Sequence, residues 1–480
     1  MRVAVLGGGI SGLAAAHRLI ERAPSLPFPL AITVIEAADR PGGSVGTSRE
    51  ATPEGTLLVE RGADAFITEK PWALDLARRL GLAPRMIAPR EGPGLRRALV
   101  VRGGRLLAVP EGFLLLGPTC ALPILESPLF SPAGKLRMAL DLLLPRGAAD
   151  DESVGDFVRR RLGRECYERL AQPLVTAIYG GDPDRLSLRA ALPQFAEMER
   201  AQGSVIRGLR AAERRRGREE SGARYGLFAS FEEGMQTLVD ALAARVGPER
   251  IRLSTEAKAL RLPGGPEAGW EVILGGGERL EADAVIVALP VRRAEALLRE
   301  TDAALTRALA GIPTLSSAIA TLAWRREEIP HPLDAFGLVA PRAEGRRILA
   351  ASFSSRKFQG RAPEGVALVR AFIGGGGRPD PMDAPDAALL EIVREELGDL
   401  IGARAAPFHA DLKRHPQGMP QLERGHESRV AAIREAAARH PGLALAGNYF
   451  SGVGVPDSVH GAEAAADAVI ETCGRRGATG

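Results

Sequence analysis

Val3-Ala4-Val5-Leu6-Gly7-Gly8-Gly9-Ile10-Ser11-Gly12-Leu13-Ala14-Ala15-Ala16-His17-Arg18-Leu19 is the stretch that decides how this chain folds. Its first four residues are apolar and uncharged, the pattern of a parallel strand covered on both faces. The run stops at glycine, and Gly7, Gly9 and Gly12 fit GxGxxG before a helical stretch begins. The three glycines have separate duties: a tight turn, close approach of the backbone to a pyrophosphate, and close packing of helix on strand. A phosphate bound there sits on the helix N-terminus, where unpaired N–H groups and the helix dipole favour an anion. Gly8, Ile10 and Ser11 share that turn and are candidate contacts.

GxGxxG alone is a weak signal, and its context strengthens it. After an insertion carrying Pro24, Pro27 and Pro29, a second strand, Ala31-Ile32-Thr33-Val34-Ile35, ends at Glu36, 24 residues beyond Gly12, with Ala37 next. A carboxylate at about that distance accepts a ribose hydroxyl and repels a 2′-phosphate, which favours FAD or NAD over NADP. Asp39-Arg40-Pro41-Gly42-Gly43-Ser44 follows. Paired glycines expose backbone amides toward a long, doubly charged cofactor, and Arg40 adds charge, which points to FAD.

Composition agrees with a folded, multidomain chain. The 480 residues exceed what one core usually supports, and 45% hydrophobic with 25% charged residues excludes wholesale disorder. Lys and Arg number 63 against 59 Asp and Glu, a net charge of +4 that offers nucleic acid little. Cys120, Cys166 and Cys473 are far apart and form no CxxC, so neither a disulfide framework nor a zinc site is expected. The N-terminus reads as no signal peptide, and the greasy Phe113 to Leu125 stretch is broken by Gly117, Pro118 and Pro123. The expectation is an intracellular chain with no metal.

Through the Gly-rich turn, Glu36 and the Gly42-Gly43 loop, the sequence resembles the two-dinucleotide-domain flavoproteins that include amine oxidases and carotenoid desaturases. Gln172-Pro173-Leu174-Val175-Thr176-Ala177-Ile178-Tyr179-Gly180-Gly181-Asp182-Pro183 and His415-Pro416-Gln417-Gly418-Met419-Pro420 are similar to stretches of the oxygen-dependent protoporphyrinogen oxidases among them. The resemblance spans essentially the whole chain, least clearly over 110–150. It implies an α/β chain, α+β overall. A Rossmann-like FAD-binding domain is drawn from 1–80, 228–290 and 425–480. A mixed-sheet substrate domain takes 81–95 and 291–424, and a helical membrane-associated domain takes 96–227.

The resemblance also implies site residues. Ser44, the segment Gly62-Ala63-Asp64-Ala65, Ala257 at the adenine end, and Asn448, Val453, Gly454 and Val455 contact a non-covalent FAD. Asp457 is a candidate N-cap for a helix from Pro456 to about Glu471, whose dipole faces the flavin. Ala63 stands where relatives have proline, Ala177 where they have glycine beside the substrate cavity, and His415 where they have tryptophan near the flavin. His415 reads either as a ligand-facing base or as a structural histidine. Arg97, or Arg96 beside it, falls at the family's propionate anchor, while Phe336, Val339 and Phe372 either sandwich the macrocycle or serve as core.

The implied chemistry is six-electron oxidation of protoporphyrinogen IX in haem synthesis by three hydride transfers to flavin N5. Dioxygen or another acceptor takes the electrons. Coproporphyrinogen III is the alternative substrate. Amine oxidation and a non-catalytic binding protein like the GDP-dissociation inhibitors are the competing readings. The apolar turns and basic helix of 109–144 suit the inner face of the cell membrane, or else a homodimer contact or core. Ferrochelatase is a further candidate partner.

Overall fold

The computed structural model describes residues 1–92, 97–147, 150–216, 228–262 and 269–477, so Arg96 lies outside the described residues. The opening strand, Arg2–Leu6, is the middle of a five-stranded sheet whose order is Ile251–Arg252, Ala31–Ile35, Arg2–Leu6, Ala284–Val287, Leu443–Leu445. Each of its pairings is parallel. The apolar run is explained by cover on both sides: Val3 and Val5 pack with the helices Ile10–Arg22 and Val455–Gly477, whereas Ala4 and Leu6 face a second cluster with Trp270 and Tyr449. Small residues let the two helices meet closely, with Ala14, Ala462 and Ala466 wholly buried. Arg18 adds a forked contact to Asp467 at 3.0 and 3.2 Å. Segments more than 400 residues apart thus build one nucleotide-binding layer.

The stretch from Arg250 to Leu260 carries two strands. Ile251–Arg252 joins the parallel sheet, and Ala257–Arg261 begins an antiparallel meander with Trp270–Leu274 and Arg279–Ala282. Ser254, at φ +50°, turns the chain between them.

A mixed seven-stranded sheet forms the second layer, in the order His409–Pro420, Thr314–Arg325, Val366–Ile373, Ile348–Phe353, Gly337–Val339, Ala98–Arg102, Arg105–Ala108. The last two strands correct the expected boundary of the helical unit at residue 96. Leu99 pairs in parallel with Leu338, and Ala98 to Val101 are buried because alternate residues enter different cores. The helical unit begins beyond them. Its centre is a buried pair, Arg161 Nε to Asp141 Oδ1 at 2.5 Å, in which Ser204 Oγ and the Ile206 N–H also donate to Asp141. With these partners satisfied, the pair ties the helix Val154–Leu162 to the start of Val205–Arg216.

Among the described residues, no helix is long and apolar enough to cross a membrane. Leu122, Leu125, Leu136, Leu140 and Leu143 are nevertheless exposed. Lys135 Nζ donates to the Leu125 carbonyl at 2.5 Å and so brings the two leucine-bearing segments together.

Candidate active site

One cavity of about 1200 Å³ runs from the Gly-rich turn to the seven-stranded sheet and the helical unit. At its first end the glycines do the work assigned to them by steric argument. Gly7, at φ +107°, donates to the Ile35 carbonyl, and a Cβ on Gly12 would lie 1.7 Å from the Gly7 oxygen. Gly9 behaves differently: a Cβ there would meet nothing nearer than the Gly43 Cα at 3.9 Å, so the missing side chain leaves open space. Gly9, Ile10, Ser11, Gly43 and Ser44 border that space, a cradle that a phosphate chain fills and a side chain would block.

Glu36 and Ala37 border it too. Glu36 accepts the Gly8 N–H at 2.7 Å and the Ala38 N–H at 2.8 Å, one on each oxygen, which fixes the carboxylate while leaving lone pairs for a ribose hydroxyl. Gly8 and Gly12 stand behind the wall. So does Arg40, correcting the expectation that its charge faces the cofactor: the guanidinium folds back onto the carbonyls of Pro41 at 3.0 Å and Gly43 at 2.9 Å, and holds the paired-glycine turn. Ala257 borders the end of the cavity next to Glu36.

Gly62, Ala63, Asp64 and Ala65 line the cavity, as do Asn448, Val453, Gly454 and Val455. Gly62 is demanded by closeness, since a Cβ would sit 2.1 Å from the Ser44 carbonyl oxygen. The C-terminal helix starts at Val455, so Asp457 lies inside its first turn and is not its N-cap. Its buried carboxylate instead receives Lys70 Nζ at 2.6 Å, and both residues border the cavity.

His415 borders the cavity and makes a structural bond, its Nε2 lying 2.9 Å from the Arg61 carbonyl. Burial depresses its pKa, which keeps the ring neutral; Nε2–H then donates and Nδ1 keeps its lone pair. Asn448 Nδ2 donates to the Gly418 carbonyl at 3.4 Å and joins its loop to the same strand.

Of the residues expected around a macrocycle, Ala177 and Phe372 border the cavity. Phe336, Val339 and Arg97 do not. Phe336 is core, its N–H donating to the Arg97 carbonyl, and Val339 packs into the helical-unit core because its strand is paired on both edges. Arg97 is ion-paired with Asp334 and also donates from Nε to the Asp334 carbonyl at 3.2 Å. The apolar wall is instead Leu115, Ile319, Leu349, Ile373 and Met419.

The sequence reading also missed Arg370. It lies among the most buried residues of the chain at 1% exposure, yet it borders the cavity and donates to the Gly62 carbonyl at 2.5 Å. Asp64 lies 3.5 Å from it and accepts Lys357 Nζ at 3.0 and 3.2 Å. Burial alone would raise the Asp64 carboxyl, but the charges of Lys357 and then Arg370 overcome it and hold the pKa at about 2. A signal existed: Val366-Ala367-Leu368-Val369-Arg370-Ala371-Phe372-Ile373 is an apolar strand interrupted by one charge.

Comparison with known proteins agrees with this geometry. The family described as flavin containing amine oxidoreductase matches residues 10–470. The chain is 32% identical over 466 residues to coproporphyrinogen III oxidase of Bacillus subtilis strain 168, covering 96% of each. It is 28% identical to the mitochondrial protoporphyrinogen oxidase of Nicotiana tabacum, over 98% of this chain and 94% of that one. A solved structure from Exiguobacterium sp. 255-15, provisionally described as a protoporphyrinogen oxidase, superposes with a TM-score of 0.85 at 29% identity over 98% of each chain. The dinucleotide cradle and the match along nearly the full length lead to one assignment: the chain is an FAD-dependent member of the flavin containing amine oxidoreductase family.

Proposed function

We propose that this enzyme oxidises a porphyrinogen to the porphyrin in haem synthesis, and that coproporphyrinogen III is its preferred substrate. The observation that carries the reading is the continuity of the cavity, which passes from the Gly9–Gly43 cradle to a chamber walled by Leu115, Ile319, Leu349, Phe372 and Met419. A tetrapyrrole is wide and apolar with carboxylates at its rim, so its pocket needs greasy walls and at least one cation. The Bacillus relative, covered nearly end to end, is a coproporphyrinogen III oxidase, which favours the tetracarboxylate over protoporphyrinogen IX. The tobacco relative supports protoporphyrinogen IX as the second reading.

Bound FAD supplies the oxidising equivalents, with dioxygen or another acceptor as the final sink. The chain's residues position and insulate. The apolar wall excludes water, Gly62 and Val455 line the cavity where they would confine the cofactor, and neutral His415 braces the Arg61 carbonyl. The exposed leucines from Leu122 to Leu143 form the surface on which we place shallow contact with a membrane.

The test is an aerobic assay of purified holoenzyme offered each porphyrinogen in turn, read by porphyrin fluorescence. Coproporphyrinogen III gives the higher kcat/KM. Turnover of neither, with oxidation of a polyamine instead, overturns the reading.

A further inference from the structure

Arg370 sits where the binary pattern of its strand calls for an apolar side chain. In Val366–Ile373, Val369 and Ala371 enter the sheet's outer core, while Arg370 and Phe372 turn to the cavity, with the guanidinium carbon 5.5 Å from the Phe372 ring centroid. Buried charges are retained where they are paired or functional, because isolating an ion from water is costly. Here the pairing is incomplete.

The network around Arg370 holds three cations, Lys357, Arg361 and Arg370, against two carboxylates, Asp64 and Glu60. Asp64 is shared with Lys357, and Glu60 is 3.7 Å from Arg361 and already accepts from Thr47 and the Met235 N–H. Arg370 Nε is buried and has no acceptor, and Arg361 Nε is in the same state. Of the three cations only Arg370 borders the cavity, so the surplus positive charge is presented there.

We propose that Arg370 holds an anion at the floor of the cavity, completing a charge balance that the protein leaves open. Resting on the porphyrinogen reading above, that anion is a carboxylate of the substrate or the negative charge of the reduced flavin ring. Both are planar, delocalised anions, which a guanidinium can meet with its fork of N–H donors. Arg370 is a positioning residue in either case, because it moves no proton and breaks no bond.

The experiment uses FAD-loaded enzyme and two probes. Sulfite, which forms an anionic adduct with oxidised flavin, is titrated by loss of flavin absorbance. Coproporphyrin III and its tetramethyl ester are titrated by fluorescence quenching. In Arg370→Gln, which can still donate to Gly62, affinity falls at least tenfold for sulfite if the flavin anion is the ligand. If a carboxylate is the ligand, affinity falls at least tenfold for coproporphyrin but not for its ester. Arg370→Lys restores part of the loss, and Asp64→Asn, which removes the competing carboxylate, tightens the same probe. Unchanged affinity for both probes in Arg370→Gln, or, should that variant not fold, in Asp64→Asn, overturns the proposal. A wild-type enzyme that binds FAD and sulfite but neither porphyrin would sink the substrate reading, and the sulfite titration would still test Arg370.

Discussion

Arg97 is committed to Asp334. The two side chains form an ion pair, each 39% exposed, at the start of the Ala98–Arg102 strand and outside the cavity wall. A pair this exposed contributes about 0–1 kcal/mol. Arg97→Ala is therefore expected to leave KM for the porphyrinogen within about twofold of wild type, since no binding contact is lost. Steady-state kinetics check this, and a tenfold rise in KM would return Arg97 to the substrate site.

Gly12→Ala is expected to abolish cofactor retention. The added Cβ would lie 1.7 Å from the Gly7 carbonyl oxygen, so either the helix Ile10–Arg22 or the Gly7 turn must move. Overpacking of this kind costs about 3 kcal/mol or more where backbone meets backbone. The purified variant should be nearly colourless, with a lowered Tm. Full flavin content would contradict the role assigned to this glycine.

Ala177 borders the cavity on the helix Gln172–Tyr179, far in sequence from the cofactor cradle. Ala177→Leu narrows the chamber alone. Expected are a KM raised by about tenfold, equivalent to about 1.4 kcal/mol of lost binding, and unchanged flavin absorbance. Loss of flavin together with activity would mean that the two halves of the cavity are not separable at this point.

Acid should destabilise the fold in two steps. Burial lowers the pKa of His17, His331, His415 and His426 below the ordinary 6.5, so the unfolded chain takes up protons first. Stability is then full above about pH 6.5 and falls as pH drops below it, because ∂ΔG/∂pH follows the excess protons bound by the unfolded state. Asp64, held at about 2, adds stability above pH 4 that is lost between about pH 4 and 2. Thermal melts from pH 8 to 5 should show the first decline, and His415→Gln, which keeps a donor for Arg61, should flatten it. A pH-independent Tm over that range would refute the assignment.

The leucine surface gives the last prediction. Leu136, Leu140 and Leu143 recur at helical spacing beside Leu122 and Leu125, and Leu143 is 80% exposed. Leu125→Glu with Leu143→Glu is expected to abolish co-sedimentation with anionic vesicles while leaving turnover of detergent-dispersed substrate unchanged. Equal sedimentation of variant and wild type would reassign the patch.

The cofactor half was legible early because its decisive contacts are steric and local in kind. Gly7 against Gly12 and Gly8 against Glu36 each forbid a side chain, while Gly9 leaves open the space beside Gly43. Arg40 escaped that logic. Its charge suggested the ligand, but three carbonyls within five residues satisfy it first. Phe336 and Val339 illustrate the limit for apolar residues, since a buried phenylalanine looks the same in sequence whether it lines a chamber or fills a core. The start of the helical unit was drawn at residue 96, ahead of a strand that the fold places elsewhere: Ala98–Arg102 pairs with Gly337–Val339, more than two hundred residues away.

By itself, the order of glycines, acids and apolar runs determined that a dinucleotide-binding layer forms and that FAD occupies it, because backbone sterics at a tight turn depend on neighbours a few positions away. Only the tertiary structure decided which arginine faces the cavity. Arg97 and Arg370 are chemically identical, and what separates them is the partner each meets after folding: a surface carboxylate for one, and for the other a buried network with a cation to spare.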